Sequence, residues 1–179
     1  CLMLFLSFPL LSETLIIAHR GASKQAPENT LPAFELAWKQ GADAIEVDVH
    51  LSKDGQVVCI HDANTKKTAK KRLTVAKSTL SQLKKLDVGS FKGKQFKGTK
   101  IPTIGEVLAT VPTGKKIFIE IKSDLEIVNP LLAEVKKCSL QEEQIIFISF
   151  KEKNLLDIKT KAPQYKTIWL NHFKKNKRG

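Results

Sequence analysis

The sequence has few cysteines and no apolar run long enough to cross a membrane. Its three cysteines, Cys1, Cys59 and Cys138, are odd in number and far apart, and no CxxC pair occurs. This usage is evidence against a disulfide framework and against a zinc site. The longest apolar run, CLMLFLSFPLL, has eleven residues, whereas a transmembrane helix needs about 20. Residues 1–14 are therefore interpreted as an apolar lead, either the remnant of an export signal or a plain lead-in, which slightly favours an exported or periplasmic protein over a cytoplasmic one.

Aromatic residues are also scarce, at 7% of the chain, and no RNA- or DNA-binding motif occurs. The net charge of +12 is nevertheless high, and most of the excess lies between Asn64 and Lys100, where twelve basic residues accompany one acidic residue. A charge excess confined to one segment and a basic tail is not typical of a nucleic-acid-binding face. No nucleic-acid partner is expected, although a non-catalytic basic binding protein remains an alternative. The basic segment is either a solvated loop or a surface that attracts anionic substrates or headgroups.

The 179 residues fit one domain, taken as residues 15–179. Short apolar runs bounded by turn residues recur, and helix-length stretches with apolar residues at helical spacing separate most of them. This alternation predicts an α/β fold with a parallel sheet. Six strands are predicted, at 15–18, 44–49, 56–60, 116–121, 144–150 and 167–170. Helix starts are predicted at Thr30, Thr103 and Asp124, and a short helix at 79–86.

One connection interrupts the alternation. Asp54-Gly55 separates the second and third predicted strands, and Asp-Gly favours a two-residue hairpin turn. With that turn, Asp48 is predicted to lie directly opposite His61 and to share a face of the hairpin with it.

Three acidic residues stand in strands whose neighbours are apolar. Glu46 and Asp48 are two residues apart and so project from one face of their strand, and Glu120 lies in a strand of similar pattern. Buried carboxylates require a compensating cation. Three carboxylates with open positions suit a hard divalent ion, so a Ca²⁺ or Mg²⁺ site is predicted.

Two histidines and two cationic residues accompany these acids. His19 and His61 follow strands and suit general acid and base roles near neutral pH. Arg20 and Lys122 can bind phosphate oxygens, so the set predicts phosphoryl-transfer chemistry. The alternative is a buried ionic network in which Arg20 and Lys122 only pair with the carboxylates.

Long motifs resemble those of the glycerophosphodiester phosphodiesterase family. They are HRGASKQAPENTLPAFELAWKQGADAIEVDVHLSKDGQVVCIHD, LSQLKKLDVGSFKGKQFKGTKIPTIGEVL and IFIEIKSD. The resemblance implies a TIM-barrel-like (β/α) phosphodiesterase fold. Because such a barrel needs about 250 residues, the chain is expected to be truncated after about five barrel strands.

The resemblance also implies an activity, the metal-dependent hydrolysis of small glycerophosphodiesters to glycerol 3-phosphate and an alcohol. It implies that His19 and His61 are the acid/base pair, that Glu46, Asp48 and Glu120 bind the metal, and that Arg20 and Lys122 contact the phosphate. Glu28 and Asn29 of PENT match the family as well, whereas Lys67 stands where many members have arginine. The alternatives are a phospholipase D-type lipid phosphodiesterase of the same fold, which shares the HRG, ExD and HD pattern, and an inactive fragment.

Overall fold

A computed structural model of the protein describes residues 14–171. The predicted apolar lead up to residue 13 and the basic tail from residue 172 lie outside the described residues. Within them, every helix is too short or too polar to cross a bilayer.

Six strands form one sheet, and five of them are parallel. The strands are β1 (Ile17–His19), β2 (Ala44–Leu51), β3 (Val57–Cys59), β4 (Lys116–Ile121), β5 (Ile145–Ser149) and β6 (Lys166–Trp169). The parallel order is β1-β2-β4-β5-β6, and β3 pairs antiparallel with β2. The strands predicted from the apolar runs and the α/β class are thus confirmed.

Helices lie between the parallel strands: α1 (Leu31–Lys39), α2 (Leu80–Lys84), α3 (Ile104–Leu108), α4 (Val128–Lys137) and α5 (Glu152–Lys161). Thr103 and Glu106 form the expected capping box of α3, and Thr79 and Gln82 form one for α2. Such boxes satisfy backbone N–H groups that the first turn leaves without partners. After Asp124 the chain forms a 3-10 turn before α4 begins at Val128.

The two faces of β2 have different neighbours. Ile45, Val47 and Val49 belong to the main hydrophobic core, which also contains apolar residues of α1, α3, α4 and α5. Alternate residues of a strand point to opposite faces, so Glu46 and Asp48 project from the other face. The apolar face anchors the strand, and the opposite face holds the acids.

The long excursion between β3 and α3 has a core of its own. Its buried residues include Val75, Leu83, Val88 and Ile101, which pack against Val58 of β3. The segment from residue 64 to 100 is therefore an ordered part of the fold.

The predicted hairpin register is wrong by one residue. Val49 pairs with Cys59, and the amide of Ile60 donates to the carbonyl of Asp48 at 3.1 Å, so Asp48 lies opposite Ile60. The reason is the loop, which has three residues between the paired Ser52 and Gln56 and ends with Gly55 at φ +75°. A three-residue loop with glycine in the left-handed region is the next commonest hairpin connection after the two-residue turn.

Both edge strands expose apolar side chains, as expected for an open sheet. Ile17 of β1 and Ile168 and Trp169 of β6 are among the exposed large hydrophobic residues.

Candidate metal and phosphate site

The three predicted acidic ligands meet on one face of two adjacent strands. Asp48 of β2 pairs with Glu120 of β4, and Glu46 lies two residues before Asp48 on the same face. All three are buried, and one oxygen of each lies within 4.8 Å of the others. This spacing can hold a metal ion, so the structure brings the predicted ligand set together.

Arg20 and Lys122 reach the same cluster. Arg20 Nε lies 3.1 Å from Asp48 Oδ2, and Lys122 Nζ lies 3.1 Å from Asp48 Oδ1. Lys122 also donates to Glu120 Oε1 at 2.6 Å. Burial lowers the pKa of Lys122, but the hydrogen bond to Glu120 and the charge of Asp48 outweigh burial and raise it. Lys122 therefore remains charged.

These cations do not satisfy the cluster. Among the described residues, Arg20 Nε, Glu46 Oε1 and Asp48 Oδ1 are buried without a well-aligned hydrogen bond. The 3.1 Å contacts to Asp48 are thus ion pairs by distance only. A buried polar atom without a partner is costly, and a cation among the carboxylates would satisfy both acidic oxygens. The residues present therefore fit a divalent ion.

Burial and the neighbouring carboxylates favour the protonated form of Glu46. Burial, followed by the negative charge of Asp48, raises the pKa of Glu46 to about 8, against the hydrogen bond from the Arg20 amide. That amide donates to Glu46 Oε2 at 2.9 Å. A bound cation favours the ionised carboxylate and would displace this proton.

His19 and His61 border the cluster. His19 is at the end of β1, with Nε2 3.8 Å from Glu46 Oε2 and 66% of its side chain exposed. Partial burial of the ring, followed by the charge of Arg20, lowers the pKa of His19, and His61 contributes to the same shift. His61 pairs through Nδ1 with Asp62 Oδ1 at 2.7 Å. If Nδ1 carries the proton that points at Asp62, Nε2 is available to accept a proton from another group.

Asn29 is a site residue to which the sequence assigned no role. Its Nδ2 donates to Asp48 Oδ2 at 2.8 Å, and its Oδ1 accepts from the Asp48 amide at 3.1 Å. The residue is 3% exposed, and its backbone is in the left-handed region at φ +57°. Asparagine tolerates this conformation better than most residues. Its partner Asp48 is 19 residues away in the sequence, so no local pattern indicated this contact.

His50 was also overlooked. It follows Asp48 by two residues and so shares the face of Glu46 and Asp48, a spacing that could have revealed it. Its Nε2 lies 3.1 Å from the His61 carbonyl. Burial lowers the pKa of His50, although the contact with the His61 carbonyl opposes the shift.

Glu28 links the site to the excursion. Its carboxylate accepts from Arg20 Nη1 at 3.3 Å and from Lys67 Nζ at 2.7 Å. The lysine at position 67 therefore holds the acid that also orients Arg20.

Gly21 sets the path of the loop after β1. Its φ is +74°, and a Cβ at this position would lie 2.7 Å from the backbone carbon of Ala33 in α1. The close approach of loop and helix requires glycine here.

Fold and site together define a class: an α/β protein with buried carboxylates, two histidines and two cations where parallel strands end, which is where α/β barrels place their active sites. Residues 19–178 match the Glycerophosphoryl diester phosphodiesterase family. The chain therefore belongs to that family, as its motifs predicted.

Relatives and solved structures agree with this membership. The chain is 44% identical over 161 residues to a glycerophosphodiester phosphodiesterase of Caldanaerobacter subterraneus subsp. tengcongensis, covering 86% of this chain and 65% of that protein. A Bacillus subtilis glycerophosphodiester phosphodiesterase is 34% identical, with 87% and 59% covered. The chain thus spans about two thirds or less of the length of these relatives.

Among solved structures, an Oleispira antarctica phosphodiesterase in complex with the product sn-glycerol-3-phosphate superposes with a TM-score of 0.83 at 33% identity, over 87% of this chain and 65% of that one. A glycerophosphodiester phosphodiesterase from Agrobacterium tumefaciens gives 0.79 at 32% identity, over 87% and 66%. The TIM-barrel-like fold is confirmed.

Proposed function

We propose that the chain carries the site of a metal-dependent phosphodiesterase that hydrolyses glycerophosphodiesters to glycerol 3-phosphate and an alcohol. The observation that carries the proposal is the buried cluster of Glu46, Asp48 and Glu120, which lies beside His19. Membership of the family and the product bound to the Oleispira antarctica protein support the substrate class.

Glu46, Asp48 and Glu120 are the proposed ligands of a divalent ion, either Ca²⁺ or Mg²⁺. Within residues 14–171, two of their oxygens, Glu46 Oε1 and Asp48 Oδ1, have no aligned donor. When bound, the ion would supply positive charge for a phosphoryl oxygen.

Arg20 and Lys122 are the proposed phosphate contacts. The guanidinium of Arg20 presents a planar set of donors, and Lys122 adds a compact charge beside it. Their ion pairs with Asp48 hold both groups at the edge of the cluster.

His19 and His61 are the proposed proton carriers. A glycerol hydroxyl loses its proton to one imidazole as its oxygen bonds to phosphorus, and the other imidazole gives its proton to the oxygen of the departing alcohol. Water then attacks the cyclic phosphate, giving its proton to one ring while the opened glycerol oxygen takes a proton from the other. The sum is diester plus water, giving glycerol 3-phosphate plus alcohol. The Asp62 carboxylate would orient the His61 ring through its contact with Nδ1.

The test is release of glycerol 3-phosphate from glycerophosphocholine with Ca²⁺ or Mg²⁺, with circular dichroism as the check on folding. We expect activity that a chelator abolishes and that His61→Ala lowers by about 10²- to 10⁴-fold, the usual contribution of a general acid or base. Glu120→Gln should also lower activity, because it removes a proposed metal ligand. Glu35→Gln, at an exposed position of α1, is the matched control and should leave activity unchanged.

Two results would contradict the proposal. One is a folded chain that releases no glycerol 3-phosphate with either ion. The other is formation of cyclic-phosphate lipids from lysophospholipid or sphingomyelin without turnover of glycerophosphocholine, which would assign the phospholipase D-type activity instead.

A further inference from the structure

The basic excursion contains a groove with uncompensated positive charge. Lys70, Lys71, Lys85 and Lys97 line it, and all four are exposed. Among residues 14–171, none of the four has a carboxylate within 4 Å or a side-chain hydrogen bond to another residue. Elsewhere in the excursion, lysines do find partners, such as Lys84 with Glu106 and Lys67 with Glu28. The charge in the groove is therefore free to act on a ligand.

The groove also offers apolar surface. Its volume is about 590 Å³, and Leu86 and Ala69 contribute to its walls. Phe91 lines it as well, with 48% of the residue exposed. An exposed aromatic ring beside four lysines combines a group that prefers an apolar phase with groups that attract anions.

The acid in the groove, Asp87, is hydrogen-bonded to neutral groups and forms no ion pair with the four lysines. Asp87 accepts hydrogen bonds from the Ser90 hydroxyl at 2.6 Å and from the amides of Gly98 and Gly89. These bonds hold the pKa of the Asp87 carboxyl well below its usual range. Asp87 thus serves to close the loop that presents Phe91.

The groove is ordered and lies beside the catalytic centre. Val75, Leu83 and Val88 pack beneath the excursion, so the lysines stand on a folded support. The pocket that contains His61 and Asp62 shares Lys67 and Thr68 with the groove. A surface that contacts the groove would therefore lie next to His61.

The charge of another part of the chain favours one orientation of the protein on an anionic surface. Residues 124–161, which include α4 and α5, contain seven acidic and six basic residues, whereas residues 64–100 contain one acidic and twelve basic residues. An anionic surface would therefore attract the excursion much more strongly than the nearly neutral region of α4 and α5.

We propose that the groove is a docking surface for an anionic lipid membrane, in which the four lysines contact headgroup phosphates and Phe91 enters the interface. Clusters of four to eight basic residues are typical of binding to anionic lipids, and phenylalanine is among the residues that enter the acyl boundary. A nucleic acid fits less well, because base stacking uses several aromatic rings and Phe91 is the aromatic residue in the groove.

The test is co-sedimentation of the full chain with vesicles of phosphatidylcholine alone or mixed equally with phosphatidylglycerol. Binding should require phosphatidylglycerol and weaken with salt. Lys70→Ser with Lys85→Ser should reduce partitioning roughly 25-fold, since each basic residue near an anionic surface is worth about fivefold. The control, Lys136→Ser with Lys153→Ser in α4 and α5, removes the same charge and should have little effect.

Phe91→Ala separates a membrane from a soluble polyanion. It should weaken vesicle binding several-fold and leave retention on immobilised polyphosphate unchanged. Equal binding to phosphatidylcholine alone, equal loss in the two lysine pairs, or no effect of Phe91→Ala would each overturn the proposal. None of these readouts depends on hydrolysis, so they are independent of the proposed activity.

Discussion

Replacement of Asn29 should destabilise the protein strongly, because one amide holds a buried carboxylate on two sides. Asn29 donates to Asp48 Oδ2 at 2.8 Å and accepts from the Asp48 amide at 3.1 Å. Asp48 is fully buried, so water cannot replace either bond.

The magnitude follows from these two contacts. A hydrogen bond to a charged group contributes about 1.5–3 kcal/mol, and a buried N–H left without a partner costs about 1–3 kcal/mol. We therefore expect Asn29→Gly to lower the free energy of unfolding by about 3–5 kcal/mol. Asn29→Ala should cost about 1 kcal/mol more, because alanine is strained at φ +57°.

Urea denaturation in the presence of a chelator measures these differences. At this chain length, each kcal/mol corresponds to roughly 2–4 °C in Tm, so thermal unfolding provides a second readout. Asn64→Ala is the control: Asn64 Oδ1 accepts one exposed bond, from the Lys66 amide, and its loss should cost less than about 1 kcal/mol.

Calorimetric titration with Ca²⁺ or Mg²⁺ then tests the link to the proposed ion. Residues that orient a metal ligand usually contribute about 10- to 100-fold in affinity, and Asn29→Gly should show a loss of that size. A decrease in stability below about 1 kcal/mol for Asn29→Gly, within the range of ordinary surface substitutions, would refute the argument that Asn29 supports Asp48.

Three further predictions concern other parts of the site. Gly21→Ala should destabilise the protein by about 2–5 kcal/mol, through backbone strain and steric overlap with α1. Gly41→Ala is the control, because its φ is +82° but the space around its Cβ is open, and it should cost only about 1–2 kcal/mol. Equal losses of stability in the two variants would contradict the predicted overlap at Gly21. Asp62→Asn should lower kcat at least about tenfold with little change in KM, because it weakens the contact that orients His61, and a general acid or base contributes about 10²–10⁴ to the rate. An unchanged kcat would exclude this orienting role of Asp62. The folded pKa of Glu46 is raised to about 8, so the metal-free folded state keeps a proton that the unfolded state releases, and the protein should lose stability as pH rises from about 4.5 to 8. Glu46→Gln should therefore stabilise the metal-free protein by about 3 kcal/mol at pH 7 and by less at pH 5.5. The opposite trend, measured by denaturation in chelator, would be inconsistent with a protonated Glu46.

The sequence predicted the elements well because their signals are local. The capping box of Thr103 and Glu106 involves residues three apart, and it marks the start of α3 in the structure. Alternation within β2 similarly placed Glu46 and Asp48 on one face, and both are buried there.

The hairpin shows where a local signal was insufficient. Asp54-Gly55 correctly indicated a reversal, but the loop includes Lys53 as a third residue, which shifts the register by one and places Asp48 opposite Ile60. A dipeptide does not determine how many residues remain unpaired around it, because that number depends on the twist and packing of both strands.

What the sequence determined by itself is the α/β class, the bounds of most strands and the identity of the acidic, basic and histidine residues, because these depend on composition and on spacings of two to four residues. Only the tertiary structure decided which of them touch: that Glu120 lies beside Asp48, that Arg20 and Lys122 pair with the same carboxylate, and that Asn29 supports it from 19 residues away. Such partners depend on strand order and register, which arise from burying the whole sheet against its helices.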